Sequence, residues 1–199
     1  HMSNPQSELV EFLAQFTHDP LGFVYSCFPW GKDELVNYKG PDAWQIEILE
    51  KLGKGLINIE EAIRLAVASG HGIGKSALVS WIVLWAVSTH EDTRGIVTAN
   101  TETQLRSKTW PEVSKWYRMF IGRELFEITA TAIFSADKEH EKTWRIDAIP
   151  WSKENPEAFA GLHNQGKRIL VIFDEASAII DEIWEVTEGA MTDANTEII

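Results

Sequence analysis

The sequence predicts an α/β fold, with a mostly parallel sheet covered by helices on both faces in three layers. Three observations predict it. Apolar strand-like runs alternate with helix-like runs at 64–68, 75–89, 95–99 and 102–120. A glycine-rich loop, "SGHGIGKS" at 69–76, joins the first of those strands to the first of those helices. A continuous apolar run, "RILVIF" at 168–173, ends in two acids, Asp174 and Glu175, and reads as a strand buried on both faces.

The bulk numbers agree. The chain has 199 residues, 44% hydrophobic and 24% charged, enough for one domain with a real core. Its single cysteine, Cys27, excludes a disulfide framework and a cysteine-rich metal site, and fits a reducing compartment. No run reaches the ~18 apolar residues of a membrane span, so no membrane is expected as a partner. His1 and Met2 read as a tag-cleavage scar and are set aside. The net charge of −12 excludes a general DNA-coating surface. The charge is uneven, however. Residues 174–199 hold eight acids and no Lys or Arg, whereas 103–123 hold Arg106, Lys108, Lys115, Arg118 and Arg123 against Glu112 alone. That basic stretch is either a solvated helix face or the place where this chain would touch nucleic acid.

In chain order, 5–16 reads as a helix with Asn4 as N-cap, and Asp19-Pro20 breaks it. Residues 21–40 are aromatic and punctuated by "FPWG" and "YKGPD". Trp44, Ile48 and Leu52 fall one helical turn apart. The strand at 64–68, the glycine loop and the helix at 75–89 follow, then the strand at 95–99 and the helix at 102–120. Residues 127–134 and 143–149 alternate like antiparallel or edge strands. After the strand at 168–173, 180–191 reads as a helix, and a strand begins at 196. In sheets of this kind the ligand sits beyond the carboxyl ends of the strands, where both the glycine loop and "DEAS" fall.

The loop reads as a phosphate-binding loop. Gly70, Gly72 and Gly74 let successive N–H groups converge on phosphate oxygens, and the helix N-terminus adds partial positive charge. Lys75 would reach the β- and γ-phosphates, and the Ser76 hydroxyl would hold Mg²⁺. Ser69 stands where the usual template has glycine; it opens the turn before the close phosphate contacts, so the departure is tolerable. The expected nucleotide contacts are Ser69, Gly70, His71, Gly72, Ile73, Gly74, Lys75, Ser76 and Ala77. Two acids at the end of a buried strand are costly without partners, and a metal ion with its waters is a natural one. Asp174 is therefore the second expected metal ligand and Glu175 the expected catalytic base, with Lys75 stabilising charge on the γ-phosphate. ATP and Mg²⁺ are the implied cofactors, and an ATP hydrolase is the implied enzyme.

Four stretches, "AWQ" at 43–45, "SGHGIGKS", "IVTANTETQLRSKTW" at 96–110 and "ILVIFDEAS" at 169–177, resemble in content and order the large terminase subunits of tailed bacteriophages. The resemblance implies a P-loop NTPase of the ASCE type at 41–199, preceded by a helical, aromatic lead-in at 1–40. It implies a motor that couples Mg-ATP hydrolysis to movement of double-stranded DNA into a procapsid in the host bacterial cytoplasm. The implied partners are double-stranded DNA, the small terminase subunit, the portal protein and procapsid, and further copies in a ring. Gln45 would recognise adenine, with Trp44 packing nearby; the competing reading makes both helix anchors. His71 stands near where the family often has a basic residue, and Arg106, Arg123 and Arg168 are candidate trans-acting arginine fingers. His163 is either a γ-phosphate sensor or a loop cap, and "EHEK" at 139–142 reads as a solvated turn rather than a metal cluster. The family's coupling strand and nuclease domain are expected beyond "NTEII", so this chain is expected to bind nucleotide and hydrolyse it poorly or not at all. Competing readings are a helicase-like translocase and a non-hydrolysing nucleotide-binding fragment.

Overall fold

The computed structural model describes residues 4–55, 63–68, 74–99, 101–151, 162, 167–176 and 195–198; within 63–68, 175–176 and 195–198 it describes the backbone. Seven strands form one sheet: β1 (Ile63–Ala68), β2 (Arg94–Ala99), β3 (Phe126–Ile128), β4 (Ala132–Ser135), β5 (Arg145–Ala148), β6 (Ile169–Ala176) and β7 (Asn195–Ile198). Their order is β3-β4-β5-β2-β6-β1-β7. The pairs among β5, β2, β6, β1 and β7 are parallel, and β3–β4 and β4–β5 are antiparallel. The mostly parallel α/β sheet expected from the sequence is therefore present.

The helices are α1 (Pro5–Ala14), α2 (Pro20–Cys27), α3 (Ala43–Gly55), α4 (Lys75–Ser88), the single turn α5 (Glu102–Gln104) and α6 (Trp110–Met119). Helix α4 is apolar on nearly every side, and Leu78 through Val87 are all buried, as expected of a helix enclosed by a sheet and other helices. One sheet face, including Val97, Ile146, Leu170 and Ile172, shares a core with α4, α6 and the lead-in residues Leu13, Phe23, Val24 and Phe28. Three tryptophans knit that junction. Trp81 of α4 packs edge-on against Trp30 (5.8 Å) and Trp116 (5.3 Å). On the other face Ile96, Val171 and Phe173 are also buried. The helix expected at 180–191 lies outside the described residues.

Three expectations change in detail. Asp19-Pro20 is not only a break but also the start of α2. Asp19 accepts a hydrogen bond from the Gly22 N–H at 2.9 Å, and Pro20 sits at the first helical position, where its missing N–H costs nothing. The run at 127–134 is a hairpin rather than one strand. Thr129 Oγ1 accepts from the N–H groups of Thr131 and Ala132, at 3.2 Å each, and turns the chain. The helix expected over 102–120 is interrupted by a π-helical turn, Leu105–Thr109. The "EHEK" turn is pinned, with His140 Nδ1 3.0 Å from Asp92 Oδ1. That bond raises the His140 pKa. Among the described residues, Glu91, Asp92 and His140 bring one ligand atom each within 4.8 Å of one another. Glu139 itself is exposed.

Candidate functional site

Because β1 and β6 are parallel neighbours, their carboxyl ends meet at one edge of the sheet. Ala66 pairs with Phe173 and Ala68 with Ala176. Two steps along β1 thus match three along β6, an irregularity that falls at Asp174 and Glu175. The two acids therefore lie within β6, at the point where its register against β1 shifts.

Helix α4 starts at the same edge. Its N-cap, Gly74, has φ +97° and ψ 2°, a conformation favourable for glycine. A second constraint acts there, since a Cβ on Gly74 would lie 2.6 Å from Gln45 Nε2. Gln45 is buried and donates from Nε2 to the Gly74 carbonyl at 2.9 Å, while its Oε1 accepts from the Asp42 N–H at 2.7 Å. The glutamine therefore ties the start of α3 to the exit of the glycine loop, which is the helix-anchor reading. Adenine recognition would have to use its second N–H and second lone pair.

Lys75 is the first residue of α4, is buried, and directs Nζ to within 3.6 Å of Asp174 Oδ1. Asp174 is 1% exposed. Its other oxygen, Oδ2, accepts a hydrogen bond of 2.5 Å from the hydroxyl of Thr109, also buried. Oδ1 has no hydrogen-bond partner among the described residues. A buried acceptor of this kind, beside a cation and facing a helix start, suits an ion or an ion-bound water. Ser76, in the first turn of α4, and Asp174 offer a hydroxyl and a carboxylate, donor types that suit a hard divalent cation.

A cavity of about 590 Å³ opens beside the start of α4. Its lining includes Gln45, Gly74, Lys75, Ser76 and Ala77 at the start of α4, with Trp30, Trp81, Lys115 and Trp116 among the other wall residues. Its size and its mix of aromatic and convergent polar groups are those of a small-molecule site. The cavity wall contributed by the lead-in and α6 was not legible in the sequence; the clustering of tryptophans was its only trace.

The structure thus brings together Gln45, Gly74, Lys75, Ser76, Ala77 and Asp174. Ser69, Gly70, His71, Gly72, Ile73 and His163 lie outside the described residues. The Glu175 backbone follows Asp174 on β6, but its side chain lies outside the described part. Of the three candidate arginine fingers, Arg168 is excluded. It is 1% exposed, lies 4.4 Å over the Trp85 ring and donates to the Ala86 carbonyl, Thr89 Oγ1 and the Thr17 carbonyl. Arg123 is exposed, and Arg106 is partly exposed, 3.9 Å from Glu102.

No family model matches the chain. A curated protein described as a probable terminase large subunit, from Enterobacteria phage P7, is 29% identical over a 139-residue match that covers 67% of this chain and 27% of that protein. Among solved structures, the large terminase of bacteriophage HK97 superimposes with a TM-score of 0.57 at 16% identity, over 92% of this chain and 37% of that one. The chain therefore spans about a quarter of the length of the curated relative and over a third of the solved one. In sequence over two thirds of its length, and in fold over most of it, the chain is similar to the large terminase subunits of phages.

Proposed function

We propose that this chain carries the ATPase site of a viral DNA-packaging motor, in which hydrolysis of ATP drives double-stranded DNA into a procapsid. The observation that carries the reading is the convergence, at one sheet edge, of the loop exit, Lys75 and a buried Asp174 with one oxygen unpartnered among the described residues. The likeness to phage large terminases supports the packaging context, and from it we infer the partners: DNA, a small subunit, a portal and procapsid, and further copies of the chain.

In this reading the backbone of Ser69, Gly70, His71, Gly72, Ile73 and Gly74 cradles the phosphates, with Ala77 completing the cradle in the first turn of α4. Lys75 holds the β- and γ-phosphates. Its ammonium lies 3.6 Å from Asp174 Oδ1, at the loop exit where the phosphates would sit. Ser76 and Asp174 would hold a magnesium ion, which supplies neutralising charge to the triphosphate when bound. Glu175 takes a proton from the attacking water, the new bond forms to the γ-phosphorus in line, and the bond to the β-phosphate oxygen breaks. The cavity walled by Trp30, Trp81 and Trp116 accommodates the base and ribose, with Gln45 at its inner edge.

The test uses Glu175→Gln in a longer protein that carries this chain with the rest of a large terminase. Its affinity for ATP stays within about threefold of the parent, and hydrolysis falls about a thousandfold, as loss of a general base entails. Retained hydrolysis removes Glu175 from its role. Procapsid-dependent stimulation of the parent favours the packaging motor, whereas strand separation on duplex DNA without procapsids favours a helicase-like translocase.

A further inference from the structure

Thr109 belongs to no motif that marks nucleotide chemistry, yet its hydroxyl makes the shortest contact to the Asp174 carboxylate among the described residues. Both groups are 1% exposed, and 65 residues separate them in sequence. A π-helical turn delivers the contact. Leu105, Thr109 and Trp110 are all buried, at spacings of four and five residues, and the regular α-helical repeat does not put both spacings on one face. The i→i+5 turn at Leu105–Thr109 does, and such turns concentrate at functional sites. The insertion points Thr109 at β6 while Glu112, Lys115 and Trp116, further along the same helix, line the cavity at the loop exit.

The consequence for Asp174 is directional. A carboxylate with one oxygen bonded to a fixed hydroxyl cannot rotate freely, so Oδ1 is held toward Lys75 and the start of α4. We propose that Thr109 is a positioning residue for the metal-binding carboxylate. It occupies Oδ2, leaves Oδ1 presented for the ion, and so sets the magnesium dependence of nucleotide binding. The proposal rests on the reading of the site given under Proposed function.

The test measures ATP affinity by calorimetry in excess MgCl₂ and again in EDTA, and takes the ratio of the two. A residue with a merely structural role changes both affinities alike and leaves that ratio fixed. Thr109→Val keeps the shape and removes the hydroxyl; the ratio is expected to fall about tenfold. Thr109→Ser restores the donor and keeps the ratio within about threefold of the parent. Thr109→Cys, a weak donor of similar size, falls between the two and serves as the reading variant if the valine protein does not fold. An unchanged ratio in the folded Val or Cys variant overturns the proposal and leaves the nucleotide site standing. Absence of ATP binding by the parent in both conditions removes the site reading, and this proposal with it.

Discussion

Arg168→Met is expected to lower the stability of the chain by about 2–4 kcal/mol, because it strands buried acceptors rather than because it removes a charge. The guanidinium donates to the Ala86 carbonyl at 3.1 Å, Thr89 Oγ1 at 2.7 Å and the Thr17 carbonyl at 2.8 Å, tying the turn between α1 and α2 and the end of α4 to the start of β6. Methionine fills part of the space and recovers the cost of burying a cation, but it offers no donor. Burial lowers the Arg168 pKa to about 9, so the group is still charged near neutral pH. Each acceptor left without a partner costs about 1–3 kcal/mol, and the Thr93 hydroxyl, 3.0 Å from the Ala86 carbonyl, shares its one proton with the His90 carbonyl at 2.8 Å. Urea unfolding should show a lower midpoint at an unchanged slope, and the melting temperature should fall by roughly 4–16 °C for a chain of this size. A stability within about 0.5 kcal/mol of the parent contradicts this account of Arg168. An arginine finger behaves in the opposite way, leaving the isolated chain's stability intact and lowering hydrolysis only in an assembled ring.

Gly74→Ala is expected to lower ATP affinity at least about tenfold. Alanine at φ +97° is strained by about 1–3 kcal/mol, and its Cβ would fall 2.6 Å from Gln45 Nε2. The chain can relieve the first problem by rotating the loop exit and the second by moving Gln45, and either change breaks the 2.9 Å tie to the Gly74 carbonyl. Lys75 and Ser76 follow directly, so the disturbance reaches the groups proposed to hold phosphate and metal. Gln45→Ala loses the tie without the backbone strain, and its loss of affinity should be smaller. Calorimetry on the two variants checks the order; ATP binding by Gly74→Ala equal to that of the parent contradicts it.

The pairing of Lys75 with Asp174 could be anticipated because the chemistry proposed for the loop and the paired acids demands particular residue types in a particular order. Three glycines, a lysine and a serine after an apolar strand, and two acids ending another, are hard to arrive at for packing reasons alone. What joins them was not legible. Thr109 is an ordinary threonine in a helical stretch, and its partner lies 65 residues on. The π-helical turn that aims it answers a demand of the tertiary packing, which leaves no periodicity to read. Gln45 was singled out by resemblance, whereas its bond to Gly74 spans 29 residues and exists only once α3 packs beside α4. Arg168 looked available because charged residues are seldom fully buried, and nothing in "GKRIL" announces the stack on Trp85. The start of α2 was misread for a local reason. Asp followed by Pro marks a break, and the same pair is also a good N-cap followed by a good first residue.

The central claim is that Lys75, beside Asp174 at the loop exit, is part of a nucleotide site. Calorimetric titration of this chain with ATP in excess MgCl₂, run beside Lys75→Ala, tests it most directly. A charge-assisted bond to phosphate makes the difference about tenfold to a hundredfold in affinity, so the parent should bind and the variant should bind far more weakly while remaining folded. Equal binding by the two proteins, or none by the parent, would contradict the claim.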